Sequence, residues 1–145
     1  MTKTSEVGKL LQEIAAARQD VLAQLTQLKT EELRFKTDNA RWNTVRRVLL
    51  RFGDHLREHT TQLVAAREAI GAAHTMPQRM LARAQEAYGE FLGAVVGLKD
   101  EDLDRVPAEG EWAIRLVLEH LRDSEKSYLI RIQDALKTRE PVERD

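Results

Sequence analysis

Apolar residues recur at intervals of three and four in four separate blocks, and no block alternates with the two-residue period of a half-buried strand. The first block carries Val7, Leu10, Leu11, Ile14, Val21, Leu25 and Leu28. The second carries Val45, Val48, Leu49, Phe52, Leu56, Leu63 and Ile70, the third runs from Met76 to about Leu98, and the fourth holds Ile114, Val117, Leu118, Leu121, Leu129, Ile132 and Leu136. Each block predicts an amphipathic helix. Four such helices bury their stripes by facing one another, which makes the chain an all-α four-helix bundle. Cap chemistry sets the expected starts: Thr4 or Ser5 for the first helix, Asn43 for the second, and Thr75 with Pro77 in the first turn for the third. The fourth runs out into "TREPVERD", a polar tail from about residue 139 expected to be loosely ordered. At 145 residues the chain is expected to form a single domain, 1–145.

The connections carry a second constraint. Only "GAAHT" joins the second and third helices, whereas "KTEELRFKTDNARW" and "KDEDLDRVPAEGEW" are long and alike. Leu28-Lys29, Glu31, Leu33 and Trp42 match Leu98-Lys99, Glu101, Leu103 and Trp112 at a shift of 70. Beyond the tryptophans the shift is 69, pairing Val45-Arg46 with Ile114-Arg115 and Val48-Leu49 with Val117-Leu118. The chain thus reads as two similar helix–loop–helix halves with one extra residue after Trp42. Each tryptophan is expected to anchor a helix entrance by packing.

Three of the four histidines lie along the inward stripes. In the shifted alignment Arg51, His55 and His59 stand opposite His120, Ser124 and Tyr128, each set spaced by four and so lying along one helix face. Two imidazoles at i and i+4 can bind one metal ion, and a third from another helix completes a three-histidine site with open positions, the pattern of a catalytic rather than a structural centre. The plainer reading is a pair of interior histidines that hydrogen-bond. His74, in the short turn, is expected to be exposed and without a role. Arg51, Ser124 and Tyr128 are the expected polar lining of the pocket. Asp54, Glu58, Glu119, Asp123 and Glu125 are the nearby acids; a carboxylate among them could orient an imidazole or simply pair with Arg51, Arg57 or Arg122.

Composition narrows the chemistry. With 23 basic against 24 acidic residues the chain lacks the basic excess of a nucleic-acid-binding domain. The absence of cysteine removes disulfides, thiolate metal sites and cysteine nucleophiles, and fits a reducing cytoplasm. No apolar run approaches the roughly 18 residues of a membrane span, and "MTKTSEVGKLLQEI" has acids and amides where a signal peptide needs an apolar core. A cytoplasmic protein is expected. Gly89, Gly93 and Gly97 fall four apart on the third helix, a bare line that suits close approach of a neighbouring helix or a homodimer contact.

The stretch "GEWAIRLVLEHLRDSEKSY" resembles the tryptophan–helix–histidine segment of the DinB/YfiT-like superfamily of metalloenzymes, with His120 eight positions after Trp112. The family's HxxxH pair is matched by His55 and His59. Here the pair precedes the lone histidine, the reverse of the family's usual order, an exchange that two similar halves permit. Ala113 stands where the family commonly has Ser or Thr. The resemblance implies a four-helix bundle that binds a divalent metal, nickel or zinc, through His55, His59 and His120. It further implies a small-molecule substrate, such as a low-molecular-weight thiol, and a thiol-dependent transferase or a hydrolase. The alternative from another class is a non-catalytic, stress-related binding or scaffold bundle.

Overall fold

A computed structural model of the chain describes residues 5–143. The described residues form four α-helices, α1 (Glu6–Leu25), α2 (Val45–Ala69), α3 (Met76–Ala94) and α4 (Ile114–Thr138), and no strand. Single 3₁₀ turns at Thr30–Arg34 and Asp100–Asp102 interrupt the two long loops. The fold of the described residues is all-α, as the apolar periodicity predicts. The chain divides after Gly97 into two compact units, one holding α1, α2 and α3 and the other α4 with the loop before it.

The helix starts follow from cap chemistry. The Ser5 hydroxyl accepts from the Gly8 amide at 3.0 Å, and Thr75 and Gln78 form a reciprocal box in which each side chain accepts from the other's backbone amide. At α2 the cap is Thr44 rather than Asn43. Thr44 has the extended backbone (φ −135°, ψ 155°) that lets its hydroxyl reach the Arg47 amide, while Asn43 accepts from the Arg47 guanidinium. Ala113 stands at the α4 cap in the same extended conformation but offers no side-chain acceptor. Ala113→Ser should therefore stabilise the protein by about 0.5–1 kcal/mol, read as a raised midpoint in urea with an unchanged slope.

Helix ends depart from the periodicity in one place. α3 stops at Ala94, four residues short of Leu98, because the backbone turns at Gly97 with φ 81°. Gly97 is thus a turn residue and not the third member of a helical line, and neither Gly89 nor Gly93 has a neighbouring atom within 4 Å of where a Cβ would sit. The α2–α3 turn is tied down more firmly than its sequence suggested. Arg67 donates to the Ala72 carbonyl at 2.9 Å and to His74 Nε2 at 2.6 Å, leaving His74 half-buried rather than exposed. α4 ends on Arg139 in the left-handed region, and residues 140–143 have no regular secondary structure.

The internal repeat is visible in the element order. Each half runs helix, 3₁₀ turn, loop, helix, and the second helix has 25 residues in both. Lys29 N–H bonds the Glu32 carboxylate and Lys99 N–H bonds that of Asp102, a shift of 70. The same loop positions are half-buried in both halves: Leu28 and Leu98, Glu32 and Asp102, Leu33 and Leu103. Trp42 lies three residues before α2 and Trp112 two before α4, which puts the extra residue where the shift changes from 70 to 69. No side chain among the described residues is fully buried. The helix stripes stay open, with Leu10 59% and Leu63 61% exposed.

Candidate functional site

α2 brings His55 and His59 together. Four residues advance a helix by little more than one turn, so the two rings meet on one face, with centroids 4.4 Å apart and planes nearly perpendicular. Their Nε2 atoms are 3.0 Å apart. His59 Nδ1 lies 2.7 Å from the Gln62 carboxamide oxygen, which only accepts, so Nδ1 carries the proton. In the neutral pair His59 Nε2 then accepts from the Nε2–H of His55. Both histidines are exposed, because the stripe they share is itself open: Leu56 remains 55% exposed.

An open groove of about 340 Å³ runs beside His55 between α1 and α2. Ile14, Val21, Val48, Phe52 and Leu56 give it apolar walls, and Arg18 and Arg51 add two guanidinium groups. Arg51 is the expected polar lining and is firmly held. It makes two 2.7 Å bonds to the Glu58 carboxylate and stacks over the Trp42 ring at 5.1 Å. That bidentate pairing holds the Glu58 carboxyl below its ordinary range and raises the Arg51 guanidinium correspondingly. Glu58 is thus engaged by arginine and is not hydrogen-bonded to an imidazole. Asp54 likewise pairs with Arg57 and Asp123 with Arg122. The side chain that bonds His59 is Gln62, which the sequence reading missed. A polar residue three positions on from a histidine is too ordinary a signal to single it out.

In the second unit His120 lies one turn and a half into α4, with its ring edge-on to Trp112 at 5.3 Å. The contact is informative about the repeat: Arg51 and His120 are aligned positions, and each meets the tryptophan of its own half. The environments differ in depth, Trp42 being half-buried and Trp112 53% exposed. Ser124 is half-buried four residues on from His120, and Tyr128 is 60% exposed. Asp104 forms a two-point pair with Arg115, at 2.6 and 3.0 Å, that fixes the loop against the start of α4 and holds the Asp104 carboxyl below its ordinary range. Within neither unit do three or more His, Asp or Glu side chains among the described residues gather as a metal-binding group. Among the described residues no helix is long and apolar enough to cross a membrane.

The described residues thus hold four α-helices, with a histidine pair on α2 and a tryptophan–histidine contact at α4. The sequence model of the DinB superfamily matches residues 83–145, the span that holds most of α3, the second loop and α4 with Trp112 and His120. The match supports a DinB-like domain. Comparisons with curated proteins and with solved structures find no match.

Proposed function

We propose that this chain is a divalent-metal-dependent enzyme of the DinB-like group, with nickel or zinc held by His55, His59 and His120. The observation that supports it most is the His55–His59 pair. Two nitrogens that each lie 2.0–2.1 Å from one ion, at angles between square and tetrahedral, are about 2.9–3.4 Å apart. The two Nε2 atoms stand at 3.0 Å. Gln62 already fixes the His59 tautomer that leaves Nε2 free to ligate. His55 needs only to carry its proton on Nδ1 in place of Nε2, so metal uptake replaces the proton shared between the rings. When bound, such a metal supplies a Lewis acid that lowers the pKa of a coordinated water or thiol.

The remaining residues define what the site would take. The apolar groove beside His55 suits the body of a small organic substrate, while Arg51, held by Glu58 and Trp42, presents a fixed cation at its rim. Transfer of a low-molecular-weight thiol is the reaction we assign first and hydrolysis second, in a reducing cytoplasm that suits a chain without cysteine. Ser124 and Tyr128 serve as further polar contacts. The scaffold reading draws on the lack, among the described residues, of a three-ligand cluster within either unit. Metal content separates the two readings. Purified without a histidine tag, the chain should carry close to one nickel or zinc ion, whereas less than about a tenth of an ion after incubation with either metal would favour the scaffold.

A further inference from the structure

Arg18 breaks the apolar stripe of α1. Ile14, Val21 and Leu25 share one helix face, and Arg18, four residues after Ile14 and three before Val21, stands in line with them. An amphipathic helix keeps its cations on the opposite face, so a guanidinium in the stripe is out of place unless something answers its charge. No carboxylate does. Arg18 forms no ion pair among the described residues. Glu13 and Asp20, the nearest acids of its own helix, stand about 140–160° round the axis from it. Its guanidinium lies instead over the Phe52 ring of α2, 5.7 Å from the centroid, and lines the groove beside His55.

That groove lies wholly within the first unit. No acid lines it, and the charge of Arg51 is already met by the bidentate bond to Glu58, so Arg18 leaves it with one uncompensated positive charge. Val21, Val48 and Phe52, all half-buried, supply apolar surface next to that charge. The span from Ile14 to Val21 on α1, and from Val48 to Leu56 on α2, makes the groove about 10–12 Å long. Its volume of about 340 Å³ is at the small end for ligand sites, too little for a macromolecular partner. We infer that the groove binds a small amphiphile with a single carboxylate on a linear apolar chain. The carboxylate takes the paired N–H groups of Arg18, and the chain lies along the apolar walls. His55 is one turn along α2 from Phe52, so the ligand lies beside the histidine pair. Calling this ligand a substrate rests on the metal-enzyme reading above; its binding does not.

Calorimetric titration of the full, tagless chain with octanoate and with octanol tests it, with and without a chelator. Octanoate should bind at least about tenfold more tightly than octanol, which has the same chain and no charge, and the chelator should change neither. Arg18→Met keeps the apolar stem and helix propensity and removes the charge. It should weaken octanoate by at least about tenfold and leave octanol unchanged, so that the two become alike. Arg18→Lys keeps a cation and should recover most of the loss. Arg83→Met makes the same charge change on α3, away from the groove, and should bind as the parent does. Octanol binding as tightly as octanoate overturns the inference, because the groove is then only an apolar face that another surface covers. So does an Arg18→Met chain that binds octanoate like the parent, a chain that binds neither, or binding that the chelator abolishes, which would put the carboxylate on a metal. Metal content of the same preparation keeps the two readings apart: octanoate binding without nickel or zinc uptake sinks the metal reading alone, and uptake without octanoate binding sinks this one alone.

Discussion

His55→Ala and His59→Ala are each expected to lower affinity for nickel or zinc by at least about a hundredfold, since loss of a supporting group alone costs roughly ten- to a hundredfold. The expectation follows from the pair's geometry. With the two Nε2 atoms 3.0 Å apart, an ion held by one ring alone loses the chelate arrangement that the helix pitch provides. Titration with a chelator of known affinity measures it, and both variants should keep the parent's circular dichroism because both rings are exposed. Equal affinity in parent and variants would mean that the pair is only a hydrogen-bonded couple on a helix surface.

The second large effect belongs to Gln62. Its carboxamide oxygen, 2.7 Å from His59 Nδ1, holds the proton on the nitrogen that faces away from His55. Gln62→Leu preserves much of the side-chain volume and removes the acceptor. Metal affinity should then fall by about ten- to a hundredfold, while helix content and thermal stability stay close to the parent's. Gln62→Glu keeps an acceptor and adds a charge, so it should recover the loss. A leucine variant that binds as tightly as the parent would show that Gln62 plays no part in orienting the ligand.

Much of this was legible in the sequence because it obeys local rules. The 3.6-residue period drew the four helices, and the change of shift from 70 to 69 located the extra residue between Trp42 and α2. Thr75 marked one start, and the choice of Thr4 or Ser5 marked another, where Ser5 is the cap and Thr4 lies outside the described residues. The i, i+4 spacing was enough to bring His55 against His59. Other features were not local in that sense. Asn43 and Thr44 are both good caps, and only the extended backbone at Thr44 decides between them. Gly97 sits in register with two helical glycines, yet its positive φ ends the helical register before it. The grip of Arg67 on His74 depends on how the α2–α3 turn closes, which composition does not specify. For His120, the proposed third ligand, spacing gives a helix face, and nothing in local periodicity gives tertiary distance.

That third ligand is the central claim, and His120→Ala tests it most directly. Affinity for nickel and zinc should be measured for this variant beside His74→Ala, whose ring is engaged by Arg67 in the α2–α3 turn. The account predicts that His120→Ala loses affinity at least as severely as His55→Ala, while His74→Ala binds as the parent does. A His120→Ala chain that binds metal as tightly as the parent would contradict the three-histidine site.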